Sequence, residues 1–197
     1  MAISLNEPGT TRTPVVKRTA IGQTFTGCLI RTERRDVMKT EDGVQKLVFK
    51  PNGKPKQELV VTCLTLPGTT SPAGIGDEVG VPAVGDTVRL ILRGKAYGDW
   101  IEATKGGVFV GDVVSQTTDT AQAYDAAGAP KGAAMSTQAE IDALPRSTSV
   151  GIYGPLTVRR PAGDELSKWV PLAEAAYHEA TRVAVEPTGD LGPDDLI

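Results

Sequence analysis

Glu58-Leu59-Val60-Val61-Thr62-Cys63-Leu64-Thr65-Leu66 is the strongest strand signal in the chain, and Pro67-Gly68 closes it. Its apolar and β-branched side chains run almost without a break, which suits a pleated backbone. Upstream, Thr24-Phe25-Thr26-Gly27-Cys28-Leu29-Ile30-Arg31-Thr32 reads as a second strand. Arg34, Arg35 and Lys39 continue it as a polar ribbon toward the turn signal Glu41-Asp42-Gly43. Lys46-Leu47-Val48-Phe49 is a short strand, and Pro51-Asn52-Gly53-Lys54 turns the chain back. Downstream, residues 67 to 84 form a Gly/Pro-rich loop before Thr87-Val88-Arg89-Leu90-Ile91-Leu92-Arg93. A turn is expected over Gly94 to Gly98, with Trp100-Ile101-Glu102-Ala103 as the last strand. Four or five antiparallel strands in about 80 residues predict a small closed or sandwiched β domain.

Around this block the character changes. Residues 1 to 20 are rich in Thr, Pro and Arg and predict an extended arm. Residues 106 to 135 are Gly, Ala, Asp and Thr with one weak apolar stretch, Val108-Phe109-Val110. Thr137-Gln138-Ala139-Glu140 is a capping box that predicts a short helix through Leu144, stopped by Pro145. Val150-Gly151-Ile152-Tyr153 and Leu156-Thr157-Val158 read as a strand pair or an extended arm. Pro171 suits the first position of a helix to about Val185. Residues 186 to 197 make an acidic tail with an apolar tip. The expected organisation is an arm (1–20), a β domain (21–105), a loop-rich extension with short helices (106–185) and the tail (186–197).

Composition agrees with strands and turns rather than a helical bundle. Of 197 residues, 22 are Gly and 14 Pro, while aromatics make up 5%. The net charge of −3 is unevenly spread: residues 1 to 105 carry +4 and residues 106 to 197 carry −7. No run approaches the roughly 18 apolar residues of a spanning helix, so no membrane partner is expected. The N-terminal stretch lacks the order of a signal peptide, which predicts a cytoplasmic site of synthesis. Cys28 and Cys63 are expected as buried free thiols, although neighbouring strands leave a disulfide geometrically open.

Chemistry for catalysis is thin. No GxSxG, HExxH or GxxxxGK[ST] pattern occurs, and one His with two separated Cys cannot supply a zinc site. Gly74-Ile75-Gly76-Asp77-Glu78-Val79-Gly80 has the wrong spacing for a nucleotide loop, and its two acids would repel phosphate. His178 reads as a helix-surface residue. A non-enzyme without cofactor or metal is expected. The basic segment says more: residues 11 to 56 hold 11 Lys/Arg against 4 Asp/Glu, a net of +7. Such a segment can follow a phosphate backbone or meet an acidic partner surface.

Gly22-Gln23-Thr24-Phe25-Thr26-Gly27, Gly53-Lys54-Pro55-Lys56-Gln57-Glu58-Leu59-Val60-Val61-Thr62 and Val84-Gly85-Asp86-Thr87-Val88-Arg89 together resemble OB-fold proteins encoded by phages of actinobacteria. Several of those are similar to single-strand-binding proteins. The likeness covers residues 20 to 105 and implies an OB-like antiparallel barrel. Asp194-Asp195-Leu196-Ile197 is similar to the tails by which single-strand-binding proteins recruit partners. Two functions follow as expectations. In the first, the chain is a structural component of a tailed-phage virion, such as a capsid decoration or head/tail accessory protein. It would be assembled in the host cytoplasm, would self-associate, and would hold neighbouring subunits through its arms. In the second, it binds single-stranded DNA through Arg31, Arg34, Arg35, Lys54, Lys56, Arg93 and Lys95 around Tyr97 and Trp100.

Overall fold

The computed structural model describes residues 13–41, 43–50 and 52–183. In chain order its first half holds β1 (Val15–Val16), β2 (Thr24–Asp36), β3 (Met38–Glu41), β4 (Val44–Leu47), β5 (Gln57–Thr65), β6 (Ala73–Ile75), β7 (Glu78–Gly80) and β8 (Thr87–Leu92). Helix α1 (Gly94–Ala103) leads to β9 (Val113–Thr117), β10 (Thr120–Tyr124) and β11 (Pro130–Met135). Then follow α2 (Gln138–Asp142), β12 (Ser149–Tyr153), β13 (Leu156–Arg159), a π-helical turn (Glu165–Trp169) and α3 (Val170–Val183). The protein is mainly β.

One mixed sheet has the order β13-β9-β2-β5-β8-β1-β6-β7. Its pairings are antiparallel except that of β1 with β8, which is parallel. β5 sits between β2 and β8, and every residue from Glu58 to Thr65 is buried. Side chains alternate across a strand, so a continuous apolar run needs cover on both faces. Leu59, Val61 and Cys63 meet Phe25, Leu90 and Trp100 in the inner core. On the opposite face Cys28, Ile30 and Leu64 are covered by Trp169 and Ala173, brought there by the π-helical turn and α3. A third cluster joins Ala121, Ala123 and Met135 of the small sheet β11-β10-β12.

The two thiols fall on opposite faces, because Cys28 lies opposite Leu64 while Cys63 lies opposite Leu29. Both are free and buried. Burial, with Glu165 and Asp112 nearby, pushes the Cys28 thiol up to about 11. Burial raises Cys63 further still.

Several elements differ from the sequence reading. The sheet is open, with β13 and β7 as its terminal strands, so hydrogen bonding does not close it into a barrel. Nor does it stay within residues 21 to 105: β1 comes from the arm, and β9 and β13 from beyond residue 105. The strand expected at Trp100–Ala103, and the turn before it, are both helix α1. Ala96, Tyr97, Trp100 and Ala103 recur at helical spacing and pack together on the inner core. The loop expected over residues 67 to 84 contains the β6–β7 hairpin.

β12 and β13 do not pair with each other but with β10 and β9. Between them Gly154 passes so close to Thr117 that a Cβ there would stand 1.8 Å from the carbonyl oxygen. The capping box forms as read, with Thr137 Oγ1 accepting from the Glu140 amide. The acidic tail and residues 1 to 12 of the arm lie outside the described residues.

Candidate nucleic-acid interface

Strand register sets three cross-strand rows on the outer face of β2, β5 and β8, the face turned away from Leu59, Val61 and Cys63. Arg31 lies opposite Thr62, and Thr62 opposite Arg89. Glu33, Val60 and Ile91 make the second row. Arg35 lies opposite Glu58, and Arg93, one residue past β8, completes the third row. A one-residue slip in the β2–β5 register between Leu29 and Arg31 puts Arg31 on this face.

Charge on the face is partly neutralised and firmly positioned. The Glu58 side chain is 4% exposed and accepts from Arg35 Nε at 2.6 Å. The Arg93 guanidinium donates to the other Glu58 oxygen. One buried carboxylate between two guanidiniums leaves that row cationic, and charge-assisted bonds fix both side chains. Arg89 donates through Nε and Nη2 to the Thr13 carbonyl oxygen at 3.1 and 2.8 Å, which ties the arm to β8.

Beside the third row opens a cleft of about 610 Å³, lined by Arg18, Lys56, Arg93 and Lys95 together with Tyr124 and Tyr153. Arg18 Nε donates to Gln116 Oε1 at 2.7 Å. Among the described residues no carboxylate pairs with Arg18. Burial lowers its pKa below the ordinary guanidinium value, yet a guanidinium in a protein stays charged. An anion entering this cleft therefore meets a partly desolvated cation, where Coulomb attraction is stronger than in open water. Tyr124 and Tyr153, both half-buried, line the same cleft.

The sequence candidates divide. Arg31, Arg35 and Arg93 stand in the rows, and Lys56, Arg93 and Lys95 line the cleft. Lys95 is held by Asp99 at 3.0 Å, one helical turn on. Arg34 lies opposite Leu59, so it is turned to the other side of β2. Lys54 is exposed just after the Asn52–Gly53 turn and lies outside the cleft lining. The base platform expected of Tyr97 and Trp100 is corrected: Trp100 is 5% exposed, and Tyr97 packs against the same core. The tail candidates Asp194, Asp195, Leu196 and Ile197 lie outside the described residues.

Arg18 lies in the basic segment 11–56 without being singled out there, whereas Arg89, Tyr124 and Tyr153 escaped the sequence reading. Tyr124 ends the alternating run Thr120-Ala121-Gln122-Ala123, a weak strand signal outside the β domain expected over residues 21–105.

No group of three or more His, Cys, Asp or Glu that could hold a metal occurs among the described residues. His178 is exposed on α3 and meets only the edge of Tyr177, with ring centroids 5.7 Å apart. No described helix is long and apolar enough to cross a membrane. Comparison of the chain with protein-family models, curated proteins and solved structures finds no match.

Proposed function

We propose that the chain binds single-stranded nucleic acid across the outer β2–β5–β8 face and the adjoining cleft. The observation that carries this reading is one cleft combining Arg18, Lys56, Arg93 and Lys95 with Tyr124 and Tyr153. Single strands need both parts: cations along the backbone and aromatic faces for the unpaired bases. The strand connectivity supports an OB-like reading of the body. β2, β5 and β8 form a meander, α1 follows, β9 returns to pair with β2, and β13 pairs with β9. In a partly open five-stranded Greek-key barrel of this kind, the second and third strands and the two long loops take the ligand. Here those loops are the β3–β4 insertion and the segment holding β10, β11 and β12, which supplies both tyrosines.

The roles divide by chemistry. Arg31, Lys56 and Arg18 take phosphates, and Tyr124 and Tyr153 stack bases. Titration of fluorescent oligo-dT at low and moderate salt tests this. Binding at micromolar concentration or tighter is expected, with a steep salt slope that falls by about 1 for each phosphate cation removed. Tyr124→Ala should cost about 1–3 kcal/mol at constant slope. Salt-independent binding, or none, overturns the proposal.

A second reading, a component of a tailed-phage virion, draws support from a different feature. The β3–β4 ribbon is exposed at every position, as expected of an arm that grips a neighbour. Absence of the chain from purified particles by mass spectrometry would remove that reading.

A further inference from the structure

Among the described residues twelve large apolar side chains are exposed, and seven of them fall in two short segments. The first is the β3–β4 ribbon and its base, with Met38, Val44, Leu47 and Phe49. The second runs from β7 into the following loop, with Val79, Val81 and Val84. Singly exposed apolar residues need no explanation, but concentrations of them mark interaction surfaces.

The two segments carry opposite charge. Residues 38 to 54 hold four lysines against two acids. Glu41 already holds Lys39 and Lys46, at 3.0 and 3.2 Å, while Lys50 and Lys54 are exposed and pair with no described carboxylate. Residues 75 to 86 hold Asp77, Glu78 and Asp86 and no Lys or Arg. Asp77 and Glu78 are exposed and pair with no described cation.

Both also present unpaired backbone. β7 is the last strand of the large sheet, and β3 and β4 pair only with each other. Such edges accept another strand unless something blocks them. The segments cannot easily serve each other within one chain. The ribbon leaves the sheet between β2 and β5, and β8, β1 and β6 separate β5 from β7. Four strand spacings amount to about 19 Å.

We infer that the β3–β4 ribbon of one chain docks on the β6–β7 edge of a second copy of this chain. The contact joins two different patches, so copies add head to tail. Lys50 and Lys54 face Asp77 and Glu78 across it, and the exposed valines cover the ribbon's apolar residues. No residue of the cleft takes part, but the β3–β4 insertion is shared with the nucleic-acid reading, so association is measured without nucleic acid.

Sedimentation velocity of the full chain, free of nucleic acid, tests it from about 1 μM to about 500 μM. Species larger than the monomer should grow with concentration and recede at roughly 0.5 M salt, where screening is strong. Lys50→Glu with Lys54→Glu, and separately Asp77→Lys with Glu78→Lys, should each weaken association at least about tenfold. Mixing the two variants should restore it, because each then offers the other a complementary patch. Met38→Ser with Leu47→Ser probes the apolar part without changing charge and should also weaken association. A monomer throughout the range overturns the inference. So does a charge-reversed pair that associates like the unaltered chain, or a mixture that associates no better than its parts.

Discussion

β5 and the β3–β4 ribbon are both antiparallel strand structure, yet they have opposite fates. From Glu58 to Thr65 β5 is buried, with β2 and β8 on its edges and separate apolar clusters on its two faces. Every residue of β3 and β4 is exposed, and each strand has one neighbour. An isolated two-stranded hairpin is marginal in water, whereas β5 has a strand on each edge, a packed inner face and cover over its Leu64 end, and so carries the stability of the sheet. One region thus holds the fold, and the other is free to serve a partner.

The comparison can be broken most directly at the cover of the sheet. Trp169→Ala removes the ring that lies over Cys28, Ile30 and Leu64, and should cost about 3–5 kcal/mol in chemical denaturation. Leu59→Ala, on the inner face of β5, should cost about 2–5 kcal/mol. A loss below about 1 kcal/mol at either site would mean that β5 is not the element that carries the stability.

The buried thiols give the next largest effect. Cys28 has its pKa raised from 9.0 to about 11 in the folded chain, so its contribution is complete below about pH 9 and is lost as pH rises to about 11. The unfolded chain loses that proton first, so stability should fall by about 1.4 kcal/mol per pH unit for each thiol across this window. Cys28→Ala should flatten the decline, as measured by urea melts between pH 8 and 11. Smallest of all, Met38→Ala or Leu47→Ala in the ribbon should shift stability by less than about 0.5 kcal/mol. A large shift there would show the ribbon packed rather than free.

What the sequence disclosed follows the same division. β2, β5 and β8 were legible because their apolar content is dense and β-branched. Helix α1 was not, because Trp100-Ile101 imitates a strand while Gly94 and Gly98 imitate a turn. Only the spacing of Ala96, Tyr97, Trp100 and Ala103 carried the helical period. β9 hid for another reason. Gln116 occupies a buried position opposite Phe25, satisfied by Arg18 and by the Gly154 carbonyl, and a buried amide breaks the expected alternation.

The site was half legible. Arg31, Lys56 and Arg93 followed from charge density, but Tyr124 and Tyr153 belong to a different sheet that only the folded chain brings near β8.

The two residues of β1 carry a consequence out of proportion to their number. Val15 lies opposite both Arg89 of β8 and Gly74 of β6, so among the described strands β1 is the one that joins the β6–β7 hairpin to the rest of the sheet. Trimming the chain before Lys17 would unpick that seam and leave β8 as a bare edge, with the hairpin tethered through the bonds of residues 70 to 72 to Thr24 and Lys17. In the inferred head-to-tail contact, Val15 and Val16 therefore anchor the edge on which a second copy would dock.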